Sequence, residues 1–255
     1  MRALLGILPV VCGFAATAQV TGIDSFIVQE RRFNDFAGTT LVVNNSFPSL
    51  QFTETGFPGS GGFANQHVGW FGTSGGTQRA AFANQGAFDI SVTINLDPVH
   101  DGPRKEAGFR FDTLIGGEGF FRLTSDGEVA AFGAFFPFFT FGNDAYQTGT
   151  DAVLRMIYRP DDDADPFDGD AATIEYIFNG MSSGRLAVAN AENGFFGPES
   201  TGFAAQGGFF IQASPNAAGD DGYTVSFNNA VFLVPAPGAA ACLGAAGLLA
   251  SRRRR

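Results

Sequence analysis

The feature that most constrains the fold is an alternation of apolar and polar residues with a period of two. The clearest case is segment 88–96, in which five apolar residues alternate with Asp, Ser, Thr and Asn. Because the side chains of a strand point alternately to its two faces, this pattern is typical of a strand with one buried face. The pattern recurs at 154–159, 174–178 and 223–227, and no helical period lies between them. The sequence therefore predicts an all-β chain.

Shorter apolar segments extend this prediction over the rest of the chain. They lie at 26–28, 41–43, 50–53, 68–71, 109–114, 186–189 and 209–212. Two dipeptides, Asp126-Gly127 and Asn179-Gly180, tolerate positive φ and favour tight hairpins. Together with 35 glycines for turns and 30 phenylalanines to fill a core, they predict a two-sheet antiparallel jelly-roll sandwich. Helix is expected only at the two ends.

Residues 1–18 have the three parts of a secretory signal peptide. Arg2 supplies the positive start, an apolar run follows, and Ala16 and Ala18 form a small-x-small cleavage site. The apolar run is shorter than the roughly 20 residues that a membrane-spanning helix needs. We therefore expect an exported protein whose mature chain begins near Gln19.

Segment 234–255 is a candidate sorting tail. Pro235 and Pro237 prevent a helix from running back into the preceding strand, and residues 238–250 form a short apolar run. The chain then ends in Arg252, Arg253, Arg254 and Arg255. Arginines beside an apolar segment favour the cytoplasmic side of a membrane.

This tail resembles the PEP-CTERM sorting tail, also catalogued as an ice-binding-protein C-terminal domain. It departs from that pattern at Ala236, where the family has glutamate. The resemblance implies an exosortase-type membrane peptidase as a partner and transient membrane attachment through the tail. It also implies a final location in the cell envelope, at the cell surface or in the extracellular matrix.

The body between these ends, residues 19–233, is acidic and lacks cysteine. All 25 acidic residues but only 10 of the 15 basic ones lie between residues 19 and 235, which gives that part a net charge of −15. Nucleic acid is therefore not expected as a partner, since phosphate binding needs clustered lysine and arginine. Cys12 and Cys242 lie in the two ends, so the body has no disulfide, thiol nucleophile or thiolate metal site.

Four short motifs follow one another along the body, at 86–92, 106–111, 125–128 and 174–180. In this order they resemble the strands and hairpins of concanavalin-A-like (laminin-G-like) jelly rolls. The resemblance implies one sandwich over about residues 20–233. It does not select a function, because this fold hosts lectins, glycosidases and adhesive modules alike.

An aspartate-rich segment is a candidate calcium site. Asp161, Asp163 and Asp165 have the one-three-five spacing of calcium loops, and Asp168 follows them. However, Pro166 occupies the position where such a loop turns at glycine, and a bidentate glutamate is missing at its end. The alternative is a solvated hairpin loop whose charges block edge pairing. No other cofactor is expected.

Hydrolysis of a glycosidic bond needs two carboxylates that flank the bond. The carboxylates on or beside predicted strands are Glu106, Asp112, Glu118, Glu128 and Glu175. They do not form the glutamate-x-aspartate-x-x-glutamate run that the related glucanases carry on one strand. His67 and His100 are isolated in polar segments and are expected to be surface or turn residues.

Sugar binding in a sandwich usually needs an exposed aromatic ring and polar partners. Trp70 and Tyr146 are candidate platforms, with Asp144 as a partner and the phenylalanine run 135–139 as a further platform. The alternative is that these aromatic residues belong to the core. We therefore expect a non-catalytic β-sandwich with a structural or adhesive role, leaving weak glycan binding open. A polysaccharide-active enzyme resembling glycoside hydrolases is the alternative.

Overall fold

The structure, a computed structural model, describes residues 22–57, 64–83, 86–100, 104–113, 117–133, 136–160, 172–188, 204–213 and 222–233. These residues form two antiparallel sheets packed face to face and contain no helix. The predicted jelly-roll sandwich is therefore confirmed. Within the described segments no helix has the length and apolarity needed to cross a membrane. The signal peptide, the sorting tail and the aspartate-rich segment lie outside the described residues.

Sheet I has nine strands. Its main path, in spatial order, is β1 (Ile23–Asn34), β4 (Asn65–Thr73), β16 (Ala204–Ala213), β8 (Lys105–Thr113), β9 (Gly117–Thr124), β10 (Val129–Phe132) and β11 (Phe139–Gly142). Two short strands lie off this path: β5 (Gln78–Arg79) pairs with β4, and β6 (Ala81–Ala83) pairs with β16. Strands β8 to β11 form a meander of consecutive strands, whereas β1, β4, β16 and β8 are distant in sequence, so the sheet is complete only when both ends of the body are folded.

Sheet II has eight strands. Its main path is β14 (Met181–Ser182), β13 (Thr173–Phe178), β12 (Asp151–Arg159), β7 (Phe88–Pro98), β17 (Gly222–Leu233), β3 (Ser49–Thr55) and β2 (Thr40–Ser46). A short strand, β15 (Leu186–Ala187), pairs with β13. The strands predicted from the clearest alternation, at 88–96, 154–159, 174–178 and 223–227, all belong to this sheet.

Both predicted hairpin turns are present. Gly127 joins β9 to β10 with φ of 92°, and its N–H donates to the carbonyl oxygen of Thr124 over 3.0 Å. Asn179 and Gly180 join β13 to β14 with φ of 48° and 83°. In this second turn both central residues have positive φ, which is the geometry that matches the twist of the flanking strands.

Phenylalanine fills the space between the sheets. Phe209 of β16 stacks on Phe227 of β17 with ring centroids 4.8 Å apart, which joins sheet I to sheet II. Phe88 of β7 stacks on Phe111 of β8 at 5.5 Å in the same way. These rings are essentially inaccessible to solvent. Because large aromatic side chains bury the most apolar area per residue, they provide much of the free energy that holds the sheets together.

The outer faces of the two sheets differ. The outer face of sheet II is polar: Thr53 and Thr224 share a hydrogen bond of 3.0 Å, and Gln51 Nε2 donates to Ser226 Oγ. In sheet I, by contrast, β4 is buried along nearly its whole length. Its outward residues Val68 and Trp70 form a second apolar cluster with Phe210 of β16. An antiparallel sheet of a simple sandwich has one solvated face, so the outer face of sheet I is exceptional.

Candidate active site

The outer face of sheet I collects charged residues from β8 and β9. Along β8, Glu106, Arg110 and Asp112 point outwards, because they alternate with the core residues Ala107, Phe109 and Phe111. The register of the two strands places Asp112 opposite Glu118, and Gly108 opposite Arg122. The period of two and the register therefore bring acids and arginines together on one surface.

Gly108 marks the closest approach of these strands. A Cβ atom at this position would lie 2.2 Å from the carbonyl oxygen of Phe121 and 2.7 Å from Cα of Arg122. Any other residue would push β9 away from β8. The absence of a side chain here keeps Arg122 next to the residues of β8.

Two glutamates, Glu106 and Glu128, form what we call the carboxylate pair. Arg104 bridges them: its Nε lies 3.2 Å from Glu106 Oε1, and its Nη2 donates to Glu128 Oε2. Arg122 bridges them a second time, with Nε 3.5 Å from Glu106 Oε2 and Nη2 3.2 Å from Glu128 Oε2. The two carboxylates are therefore held at the separation that two guanidinium groups span.

The environment of Glu106 favours its protonated form. Burial raises the pKa of this carboxyl above its ordinary value, and the neighbouring Glu128 and Asp126 charges act in the same direction. Arg122 and Arg104 oppose the increase without cancelling it. Burial also lowers the pKa of Arg122, although Glu106 and Glu128 counteract this effect. Glu106 therefore keeps its proton to higher pH than an ordinary glutamate does.

A cavity opens beside the carboxylate pair. It has a volume of about 300 Å³ and is lined by Arg104, Asp126, Glu128 and Asn143. Arg104 Nη1 lies 3.5 Å from Asp126 Oδ2, so three acids contact this one arginine. The size is at the lower end of the range of small-molecule sites, and the walls are polar.

The guanidinium of Arg122 has an unpaired hydrogen-bond donor. The guanidinium lies 4.8 Å from the ring centroid of Phe132, which fixes the plane of the group. Its Nη1 is buried and has no hydrogen-bond partner in the described structure. Because buried donors are nearly always paired, this nitrogen is of the kind that a bound ligand satisfies.

A second group of charges lies on the same face. Arg110 is fully buried; its Nε donates to Asp112 Oδ1 over 2.7 Å and its other nitrogens contact Gln66 and Glu118. Arg32 Nη2 lies 3.0 Å from both Asp112 Oδ2 and Glu118 Oε1. Each acid of this group is therefore held by two arginines, and neither lines the cavity beside Glu128.

Of the five carboxylates predicted from the sequence, the structure brings four to one face. These are Glu106, Asp112, Glu118 and Glu128. Glu175 lies on sheet II, where it contacts Arg159 at 3.0 Å and accepts a hydrogen bond from Ser182. The four aspartates of the candidate calcium site, Asp161, Asp163, Asp165 and Asp168, lie outside the described residues, and that site stays a prediction. In the described part of the chain, acids, histidines and cysteines form no group of three or more that is suited to a metal ion.

The predicted sugar platforms lie in different places. Trp70 is on the outer face of sheet I but is fully buried, with Arg79 4.5 Å above its ring and its Nε1 donating to Gln29 Oε1. Tyr146 lies in the main core, where its hydroxyl accepts from the N–H of Leu96 and donates to the carbonyl oxygen of Thr150. Neither ring presents a free face. Asp144 is exposed in the turn after β11.

His67 differs from its expected surface position. It lies in β4 and is fully buried, with Nε2 3.2 Å from Glu54 Oε2 across the two sheets. The N–H of Arg31 donates to Nδ1, so the ring proton is on Nε2 and faces Glu54. Arg31 has φ of 54° at an irregularity in the β1–β4 pairing, which aims its N–H at the ring.

Glu54 is the centre of this buried network. Its Oε1 accepts hydrogen bonds from Thr39 Oγ1 over 2.7 Å and from Asn65 Nδ2 over 2.6 Å. Tyr223 donates to Oε2 over 3.3 Å. Burial acts to raise the pKa of Glu54, but the hydrogen bonds, led by that from His67, outweigh it and hold the pKa below its ordinary value. Glu54 is therefore a fixed anion inside the sandwich, closed to a substrate.

No protein-family model matches this sequence, and no curated protein matches it. Solved structures with a similar fold include an alginate lyase from Corynebacterium sp., with 12% identity and a TM-score of 0.48 over 76% of this chain and 81% of that chain. Alginate lyase A1-II′ gives 10% and 0.49 over 83% and 95%. A Bacteroides ovatus mixed-linkage glucan GH16 in complex with a G4G4G3G product gives 9% and 0.47 over 82% and 94%. At this level the likeness describes a shared β-jelly-roll architecture.

The geometry of this face corrects the expectation of a non-catalytic structural or adhesive protein. That expectation rested on carboxylates that are scattered along the sequence and form no compact motif. The structure brings Glu106, Asp112, Glu118 and Glu128 to one face. Two of these carboxylates also share two arginines beside a cavity that Glu128 lines. The non-catalytic interpretation is therefore not retained.

Proposed function

We propose that this protein is a polysaccharide-active enzyme that hydrolyses a glycosidic bond with the carboxylate pair. The observation that carries the proposal is the bridging of Glu106 and Glu128 by the same two arginines, with the pKa of Glu106 raised, beside a polar cavity. A glycosidase needs two carboxyl groups that flank the bond, one of which carries the proton for the leaving oxygen.

Glu106 is the general acid. Because burial raises its pKa, it keeps a proton at pH values where an ordinary glutamate has lost it, and it can pass this proton to the leaving oxygen. Glu128 lines the cavity and is the carboxylate that acts on the anomeric carbon, directly or through a water. Both routes require carboxyl groups roughly 5–10 Å apart, which is within the span of bridging guanidinium groups.

Arg122 and Arg104 hold this geometry and contact the substrate. The unpaired Nη1 of Arg122 is a donor for a sugar hydroxyl or carboxylate, and Phe132 keeps it in place. The cavity beside the carboxylate pair is lined by Arg104, Asp126, Glu128 and Asn143, so its acid–base groups are carboxyls rather than a tyrosine or a histidine. This lining supports hydrolysis over elimination with a tyrosine or histidine base.

The test is hydrolysis of a panel of neutral and uronate polysaccharides by the full-length protein, measured as released reducing ends. Glu106→Gln and Glu128→Gln are each expected to reduce the rate by about 10²–10⁴-fold, the usual contribution of a positioned acid or base. Glu175→Gln, an acid paired with an arginine on sheet II, is the matched control and should leave the rate unchanged. Product with an unsaturated sugar end, or full activity in Glu106→Gln, would contradict the mechanism.

We also propose that the chain is exported and sorted through its tail. The support is the small-x-small site at Ala16 and Ala18, and the tail from Pro235 and Pro237 to the four arginines. An exosortase-type peptidase would then release the body to the cell surface or matrix, where polysaccharide is available. N-terminal sequencing of the protein from its native host should begin near Gln19. Uncut chain in the cytosol would refute this proposal.

A further inference from the structure

Phe138 is the most solvent-exposed large apolar residue of the described chain. Its side chain is 70% accessible, although its neighbours at 136 and 139 pack against the main core. Exposing a whole phenylalanine forgoes the free energy that its burial would provide. Pro137 precedes it and fixes its own φ, so the ring is held out by a stiff segment. A rigidly presented aromatic ring is suited to contact with a ligand.

The position of Phe138 relates it to the carboxylate pair. Thr140, two residues further on, is the Cα partner of Ala130, and both lie on the outer face of sheet I. Phe139 packs towards the core and pairs with Ala131, the residue before Phe132. Phe138 therefore directly precedes β11 at the end of the strand that faces the Phe132 end of β10, and its ring is exposed. Phe132 in turn contacts Arg122, which bridges the pair.

An aromatic row therefore crosses this face towards the edge strand. Phe120 and Phe132 have ring centroids 5.6 Å apart and are half-buried. Phe138 lies at the start of the next strand towards the edge and is 70% exposed. Adjacent strands are about 4.8 Å apart, so each step along the row is short. A sugar chain that occupies the cavity can continue over this row.

We propose that Phe138 is the stacking platform of an outer subsite that binds a pyranose ring of the substrate, remote from the bond that is cleaved. The inference rests on the proposed function and specifies its substrate as an oligomer long enough to span from the cavity beside Asn143 to Phe138, at the other end of β11. The C–H face of a pyranose packs on the ring, while hydroxyl groups remain in water.

The experiment compares Phe138→Ala with wild type on ladders of β-1,4-linked glucose oligosaccharides and of uronate oligosaccharides, two to six residues long. KM for the long members should rise about tenfold, which is about 1.4 kcal/mol, with kcat within about twofold. The shortest members should be unaffected, because they do not reach the platform. Phe138→Tyr, which keeps an aromatic ring at this position, should have the wild-type KM. Met181→Ala, which removes an exposed apolar side chain of sheet II (52% accessible), is the control for a general surface effect.

The outcomes separate the two proposals. If wild type cleaves a ladder and Phe138→Ala shows unchanged KM at every length, the subsite is refuted and the enzyme proposal stands. If nothing is cleaved, the enzyme proposal fails, and calorimetric binding of the six-residue oligosaccharides to wild type and Phe138→Ala decides on the subsite. Equal binding, or no binding to wild type, overturns it.

Discussion

Glu54 and Glu106 are both shielded from solvent, but their surroundings shift their pKa values in opposite directions. Glu54 receives hydrogen bonds from Thr39, Asn65 and His67, which lower its pKa despite burial. Glu106 has two arginines on one side and two acids nearby, and burial raises its pKa. Donors fixed in place stabilise the anion, whereas a shared cluster of cations and like charges leaves burial as the dominant influence.

The difference indicates what each region is for. The Glu54 network joins β3 of sheet II to β4 of sheet I and satisfies a buried charge, so it contributes to structure. The carboxylate pair is half-buried and lies beside a cavity, and Arg122, which bridges the pair, has a donor without a partner. A region with unsatisfied bonding capacity and access to solvent can take a ligand; a region whose bonds are complete cannot.

The largest expected effect is on stability, from Glu54→Ala. The change leaves His67, Asn65 and Thr39 without their common acceptor, and should cost about 3–5 kcal/mol of unfolding free energy, as for other broken buried charge networks. Urea denaturation followed by fluorescence measures it. Glu175→Ala, which breaks a pair on the surface of sheet II, should cost about 1 kcal/mol or less. Equal losses for the two variants would show that the interior network has no special weight.

The next effect concerns the pH dependence of activity. As pH rises through the raised pKa of Glu106, the acid loses its proton and the rate should fall by about tenfold per pH unit. Arg122 is the main group that opposes the raised pKa, so Arg122→Gln should move this alkaline limb to higher pH even if it lowers the maximum rate. The measurement is kcat against pH for both proteins. A limb that stays in place would remove Glu106 as the acid.

The sequence predicts the sandwich well because strand patterning is local. The alternation in 88–96 reflects one strand, β7, which has one face buried in the core and the other face partly exposed to solvent. The Asp126-Gly127 and Asn179-Gly180 turns depend only on the conformations of their own residues. Each of these features depends on a few consecutive residues. No knowledge of distant partners is needed to recognise them.

The candidate site is less predictable because its residues meet only through strand register. Glu106 and Glu128 lie in different parts of the β8–β9–β10 meander, and the sequence does not state which face each occupies. The start of β4 misleads for a related reason: Asn65, Gln66 and His67 look like a polar loop. They are strand residues whose polar groups find partners on other strands. Polar residues that directly precede an apolar strand are the sequence signal that β4 begins earlier, at Asn65.

The smallest effect separates the two glutamates by the pH dependence of stability. The folded-state pKa of Glu54 is depressed, so its contribution to stability is present above the unfolded value of about 4.5 and is lost as pH falls through the lower folded value. The pKa of Glu106 is raised, so its contribution is present below about 4.5 and is lost as pH rises through the folded value. Melting temperatures measured between pH 3 and 7 should therefore decline on the acid side in wild type.

Glu54→Gln should flatten that decline, whereas Glu106→Gln should leave it in place and flatten the weaker decline on the alkaline side. An acid-side decline of the same size in Glu54→Gln would mean that carboxylates outside the sheet interface cause it, and the contrast between the two regions would then lie in their access to solvent alone.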